Sequence, residues 1–391
     1  TKVNGLIFPM VSSTKTILFV SHASDLYGSE RSLLDLLSRC PEDIKAVALI
    51  PSKGQLADKL EKMGIDYITI PYSLWISPPK YTPVSIPYHV AKNILGYTMA
   101  KSRFDTLEID GVYTNTISCP MGGLLANHLD VPNIWHIREF VEEDHNRWFD
   151  FGKRISTAFV ERNSQTIIYN SSALGQKYSK FFTGSDEHII HNGPISTDQF
   201  QETDIRNSGF NNPIQILVVG SIHSGKNQLE AIELFDHLSD TDLEIEITIV
   251  GDGDDSYIDR CKARATELAV SDRVHWEGYQ NNVADYYRNT DITLVPSKCE
   301  AFGRVVVEAM SYGSPVIARR AGGIPEIISH GETGFLYSTI SESVSYMENL
   351  DNNDKIVGNI SKRAWESALA NFTKDQYASN VYSVIQQEIR N

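Results

Sequence analysis

Lys226, Glu300 and Glu308 are the residues of this 391-residue chain from which chemistry can be read first. The two glutamates stand in PSKCEAFGRVVVEAMSYGSPVIARRAGGIPE, residues 296–326. Glu300 falls in a loop expected over 298–303, and Glu308 one to two turns into a helix expected over 304–312. A loop that feeds a helix start aims backbone N–H groups at an anion, and the helix dipole adds to the attraction. Two carboxylates beside such an anion can hold hydroxyl groups, so the arrangement suits a sugar phosphate. Lys226 lies in GSIHSGKNQ, residues 220–228, where a glycine-bearing loop again leads into a helix. A cation there can neutralise the charge of a departing diphosphate. Taken singly, each of these residues also fits a solvated helix end.

Strands and helices must place these loops. ITLVPS (292–297) reads as a buried parallel strand, Gly313 closes the following helix, and Pro315 starts the strand PVIAR. The same alternation runs through the chain. Strands are expected at 16–23, 46–51, 65–71, 111–116, 132–138 and 165–172, and again at 214–220, 244–251 and 272–278. Helices are expected at 29–40, 55–63, 227–238 and 374–390. Continuous apolar strands alternating with amphipathic helices predict an α/β protein of two parallel-sheet, helix-flanked domains with ligands in the cleft between them. The division is expected within IIHNGPISTDQF (189–200), where Asn192-Gly193 makes a turn and Pro194 stops pairing. This gives a tail at 1–13, domains at 14–193 and 194–373, and a terminal helix at 374–391.

Composition limits the classes. The chain is 41% hydrophobic and 22% charged, as in soluble globular proteins, with no apolar run long enough for a membrane span and no evident signal peptide. Residues 1–200 carry 19 Lys+Arg against 21 Asp+Glu, and residues 201–391 carry 16 against 29, so most of the net charge of −15 lies in the second half. Nucleic acid is a poor partner for such a chain. Residues 1–103 are mildly basic, with 12 cationic against 8 acidic side chains. Within them, 88–104 fits either an amphipathic membrane-surface helix or a helix packed on its own sheet. Cys40, Cys119, Cys261 and Cys299 form no metal-ligand spacing and are expected to be reduced cytosolic thiols. Cys299, beside Glu300, reads as filler rather than as a nucleophile.

The pattern Glu300, seven residues, Glu308, with Phe302-Gly303, Gly313, Pro315-Val316, Gly322-Gly323 and Pro325-Glu326, resembles the donor-binding signature of the retaining glycosyltransferases of family 4, the glycosyl transferases group 1. The resemblance implies two Rossmann-like domains in the GT-B arrangement, with a C-terminal helix crossing back to the first. It also implies a hinge followed by an aromatic residue, here Phe200. Glu308 would hold the nucleotide ribose, and Glu300 would face the donor sugar. The backbone around Ala301, Phe302, Gly303, Arg304, Val305 and Val306 would meet sugar and diphosphate. Lys226 would take the phosphate charge. The family commonly has an arginine after the glycine where this chain has Ser221; Arg304, His223 or a residue from elsewhere would have to compensate. Gly28-Ser29 resembles the glycine loop of the first domain, although a plain helix-start turn with Ser29 as N-cap also explains it. His136 in WHIREF resembles the histidine that meets the donor sugar from the acceptor side, and the polar run from Arg138 to His145 follows it. Gly251 belongs to a donor-side loop, and Tyr279 lies near the expected base contact.

In IVGDGDD (249–255), Asp252 and Asp254 imitate a metal-binding Asp-x-Asp, but the resembling family does not depend on a divalent cation, and no catalytic metal or cofactor is expected. The glycines there lack the third member of the dinucleotide fingerprint, because Ser256 stands in its place. The implied reaction moves a sugar, with retention, from a nucleoside diphosphate sugar, UDP or GDP, to a hydroxyl of a glycan or lipid-linked acceptor. Surface polysaccharide synthesis at the cytoplasmic face of a membrane is the implied setting. A sugar-nucleotide epimerase of the same fold, or a non-catalytic nucleotide-sugar-binding module, are the alternatives.

Overall fold

A computed structural model describes residues 14–78, 82–197, 209–238 and 241–390. The tail at 1–13 and Phe200 lie outside the described residues. Two parallel sheets carry the architecture. The first contains β1 (Lys15–Val20), β2 (Ile44–Ile50), β3 (Asp66–Thr69), β5 (Gly111–Thr114), β6 (Asn133–Ile137), β8 (Thr166–Tyr169) and β9 (Asp186–Ile189), in the order β3-β2-β1-β5-β6-β8-β9. Short strands β4 (Ile76–Ser77) and β7 (Trp148–Phe149) form a separate antiparallel pair. The second sheet contains β10 (Ile214–Val219), β11 (Ile245–Val250), β12 (Val274–Gly278), β13 (Ile292–Val295), β14 (Val316–Arg319) and β15 (Phe335–Tyr337), in the order β12-β11-β10-β13-β14-β15. In each half the strand order reverses beside the first strand, which makes the doubly wound, Rossmann-like topology.

Both faces of each sheet are covered, and the strands show it residue by residue. In β1, Ile17 and Phe19 pack with Leu33 and Leu36 of the helix Gly28–Leu37, while Leu18 and Val20 pack with Ala100, Phe104 and Leu125 on the other side. This two-residue alternation of buried partners is what a parallel strand between two helix layers requires. The terminal helix, Lys374–Glu388, starts at a capping box made by Thr373 and Gln376. It then joins the core of the first half, where Tyr377, Val381, Tyr382 and Ile385 are buried beside Phe19 and Leu36. At about 1.5–3 kcal/mol for each large apolar side chain removed from water, this helix is an integral part of the first half's core.

Helix Thr82–Phe104 turns Gly96, Ala100 and Phe104 inward. Gly96 is needed there, because a Cβ would meet the Pro71 carbonyl oxygen at 2.4 Å. The apolar stripe recognisable in the sequence points elsewhere: Ile94, Leu95 and Met99 are exposed. The helix therefore packs on its own half with one face and leaves a second apolar face outside.

Candidate donor site between the two halves

The reversal of strand order in the second sheet falls between β10 and β13, and ligands of open α/β sheets bind in the crevice beyond the strand ends at such a point. The loops leaving these two strands bring Lys226 and Glu300 together. Lys226 Nζ lies 2.6 Å from Glu300 Oε1, and Ser297 Oγ donates to the same oxygen at 2.7 Å. The loops are tied through their backbones as well, since Lys298 N–H donates to the Gly225 carbonyl at 2.9 Å. Glu300 is held from its other side by Gly323 N–H, which donates to its carbonyl at 2.8 Å. Gly322 makes this approach possible: its φ is +56°, and a Cβ would sit 2.1 Å from the Glu300 oxygen.

Burial opposes the charge on Glu300, but the Lys226 ammonium and the Ser297 hydrogen bond outweigh it and hold the carboxyl below its ordinary value. Gly303, with φ +102°, turns the chain into helix Arg304–Ser311. The first N–H groups of that helix have no intrahelical acceptor. Glu308 lies one turn on, with Oε1 3.6 Å from the Arg304 guanidinium and the Tyr287 hydroxyl 3.4 Å from Oε2. Burial raises the Glu308 pKa, with Arg304 opposing. Phe302 is buried and packs against His191 and Phe372, so its contribution to the crevice is its backbone.

Gly220, Gly251 and Gly278 stand at the ends of β10, β11 and β12, where Gly251 N–H donates to the Gly278 carbonyl at 2.9 Å. Ser221 is exposed at the mouth of this group. Of the residues considered to replace the missing arginine, His223 is neutral at physiological pH, because burial and the Lys226 charge push it down to about 4. Arg304 is engaged across the cleft, with Nη1 2.7 Å from Asp35 Oδ2 and 2.9 Å from Ser32 Oγ. Asp35 also pairs with Lys374 at 3.0 Å. Nearby, Arg31 Nη2 donates to the Tyr279 hydroxyl at 3.1 Å.

The first half presents two loops to this site. Gly28 opens helix Gly28–Leu37 with nothing within 4 Å of where its Cβ would be. Ser29 does not cap the helix; the N-cap is Tyr27, and the Ser29 hydroxyl donates to Glu30 Oε2 at 2.8 Å. Glu30 is buried, accepts from Ser21 Oγ at 2.9 Å, and pairs with His22 Nδ1 at 2.9 Å. Burial opposes the His22 charge, but Glu30 prevails and raises its pKa.

Among the described residues no hydrogen bond or ion pair joins His136 to Lys226 or Glu300. His136 lies within β6 and is fully buried. Its Nδ1 is 2.6 Å from the Tyr113 hydroxyl and 3.2 Å from Arg138. Burial and the Arg138 charge push its pKa well below the ordinary value. The histidine next to the Lys226 loop in the chain's packing is His145, half exposed and adjacent to Asp144. Its loop touches the Lys226 loop: a Cβ on Gly225 would meet the Asp144 carbonyl oxygen at 2.7 Å. A second residue absent from the sequence reading as a site member is Glu326. It accepts from Ser172 N–H at 2.7 Å and Ala173 N–H at 2.9 Å, at the start of a first-half helix, and from His191 Nε2 at 2.9 Å.

The two-sheet fold superimposes on solved structures. Anabaena HepE in complex with UDP aligns with a TM-score of 0.78 at 20% identity, covering 95% of this chain and 100% of that one. Sucrose-phosphate synthase from Thermosynechococcus elongatus aligns with a TM-score of 0.73 at 15% identity, covering 95% and 98%. The fold is GT-B. Residues 200–364 match the family model described as glycosyl transferases group 1, so the matched segment contains both Lys226 and the Glu300–Glu308 stretch. N-acetyl-alpha-D-glucosaminyl L-malate synthase of Bacillus anthracis is 32% identical over 157 residues, 38% of this chain and 40% of that protein. Lipopolysaccharide 1,6-galactosyltransferase of Salmonella typhimurium is 34% identical over 131 residues, 32% and 36% of the two chains. The matched segments thus span only about two fifths of these relatives. In this GT-B frame the crevice at the β10/β13 reversal faces the first half across the interdomain cleft.

Proposed function

We propose that this chain is a glycosyltransferase that moves a sugar from a nucleoside diphosphate sugar to an acceptor hydroxyl with retention of anomeric configuration and without a metal ion. The observation that carries the reading is the Lys226–Glu300 pair at the strand-order reversal of the second sheet, one loop away from the start of the helix that bears Glu308. In this reading residues 194–373 hold the donor, with Glu308 on the ribose hydroxyls and Lys226 with the helix start on the diphosphate. Residues 14–193 hold the acceptor, with His145 meeting the sugar from that side. Attack takes place on the face from which the diphosphate leaves, and the departing phosphate takes the acceptor proton. The protein contributes positioning, closure and stabilisation of the leaving anion.

UDP is the favoured nucleotide, because HepE is solved with UDP and with UDP-glucose. The acceptor is a glycan or a lipid-linked glycan of a surface polysaccharide, reached from the cytoplasm through peripheral contact of the first half with a membrane. Thermal melting of the EDTA-treated protein with UDP, GDP, ADP and NAD tests the donor site. A ligand at a hundred times its Kd adds about 2.7 kcal/mol, so a UDP shift without metal supports the reading, and a shift with NAD alone refutes it. Incubation with UDP-sugars and a hydroxyl acceptor then separates transfer from epimerisation, which gives product without acceptor.

A further inference from the structure

An apolar cavity of about 290 Å³ opens on the first half between helices Thr82–Phe104 and Lys153–Arg162. Its walls are almost wholly apolar, with Trp75, Ile94, Tyr97, Leu124, Ile155 and Phe159 among them. Of the eleven large apolar side chains exposed among the described residues, eight lie in the segment 88–155, and three of these, Ile94, Phe151 and Ile155, line the cavity. Ile94 and Ile155, on the two helices that bound it, are 60% and 64% exposed. An apolar patch of this kind marks an interaction site.

Charge selects the occupant. The helix Thr82–Phe104 carries Lys92, Lys101 and Arg103 and no carboxylate, and Lys153–Arg162 carries Arg154 and Arg162 against Glu161, its Lys153 being paired with Glu142 of the preceding loop. In a chain of net charge −15, these two helices are a local cationic surface, and cations flanking an apolar face complement an anionic lipid surface. Two copies of this face would meet with like charges opposed. Position selects the role. The chain from the β6 end to Gly152 carries Asp144 and His145 to the Lys226 loop and Phe151 to the cavity. Phe151 follows His145 by six positions, at most about 20 Å of chain, within the length of a lipid with its headgroup.

We propose that this cavity takes the aliphatic tail of an anionic, membrane-borne acceptor lipid, with the basic helices on its headgroup and the loop 140–152 leading that headgroup to the transfer site. The word acceptor rests on the glycosyltransferase reading; tail binding does not.

The test uses the full chain with Trp148→Phe, which removes the exposed indole nearby and leaves Trp75 in the cavity wall. Vesicles of phosphatidylglycerol with bromine on the acyl chains are expected to sediment the protein and quench its fluorescence, with phosphatidylcholine vesicles at least tenfold weaker. Adding Ile94→Asp and Ile155→Asp is expected to abolish quenching. Lys92→Glu with Arg154→Glu should weaken vesicle binding at least tenfold without touching the cavity wall. In both sets, an unchanged UDP-induced melting shift shows that the fold is intact. Sedimentation without quenching, equal binding to both lipids, or a dimer that the aspartates convert to monomer would each overturn the proposal. Quenching without any UDP shift would instead uphold the tail site and remove the transferase reading.

Discussion

Replacing Lys226 by methionine removes one charge from a pair that burial makes interdependent. The two side chains are 26% and 12% exposed, with 2.6 Å between Nζ and Oε1. Deleting one member of a fully buried pair costs about 3–5 kcal/mol. Since water reaches part of the lysine, about 2 kcal/mol is expected near pH 7.5. The sign of the pH dependence follows from Glu300. In the native protein its pKa lies below the ordinary 4.5 despite burial, because Lys226 and Ser297 outweigh desolvation. That stabilisation is present above the unfolded value and is lost as pH falls through the folded one. Without Lys226, burial dominates, the Glu300 pKa rises, and the variant's deficit should be largest at neutral pH and shrink towards pH 4. Adding Glu300→Gln should restore more than half of the lost stability. It should not restore turnover, because in the proposed mechanism the missing cation is also the one that meets the departing diphosphate; kcat should fall about 10²–10³-fold, as for loss of one oxyanion donor. Denaturant midpoints at pH 7.5 and 4.5, with steady-state rates for single and double variants, check this. An equal deficit at both pH values, no relief from Glu300→Gln, and full turnover would refute the reasoning.

Glu308→Ala should raise the donor KM at least tenfold with a smaller change in kcat, measured by initial rates over a donor series. Gly322→Ala forces a Cβ to 2.1 Å from the Glu300 carbonyl oxygen at φ +56°. It should lower stability by about 2 kcal/mol or more and displace Glu300, so both melting point and kcat should fall. Glu326, for which burial is outweighed by His191 and two backbone N–H groups, has a lowered pKa. Its contribution is therefore present above the ordinary 4.5 and lost as pH falls through the folded value. A pH series of melting points should show that Glu326→Gln loses stability at pH 6–8 and converges on the parent in acid. If the curves stay parallel, Glu326 does not clamp the halves through its charge.

The fold was legible because a parallel strand between helix layers must be apolar on both faces, as β1, β10 and β13 are. The edge strand β9, with the sequence DEHI and mostly exposed, carries no such signal, and β15 is only three residues long. The places of Lys226, Glu300 and Glu308 in the fold were legible because strand-end loops and a helix start fix them locally. His136 was expected to meet the donor sugar, and the structure places it inside β6. All five residues of that strand are buried, and the His136 ring is held by Tyr113 and Arg138. His145, eight residues after Ile137, has left the sheet, and only three-dimensional closure of its loop onto Gly225 brings it to the site. The Arg304–Asp35 and Glu326–Ser172 contacts join residues 269 and 154 positions apart, a separation that no local pattern encodes.

The helix Lys374–Glu388 fills the core of the first half, and this has a consequence for synthesis. On a ribosome the first sheet emerges long before the helix that completes it, with Phe19 and Leu36 uncovered while the second half is still being translated. The second half can close on its own β10–β15 sheet as soon as it is free. The first half, begun before the second, is completed after it, and a chain lacking this helix would leave an open hydrophobic face for chaperones or proteases to find.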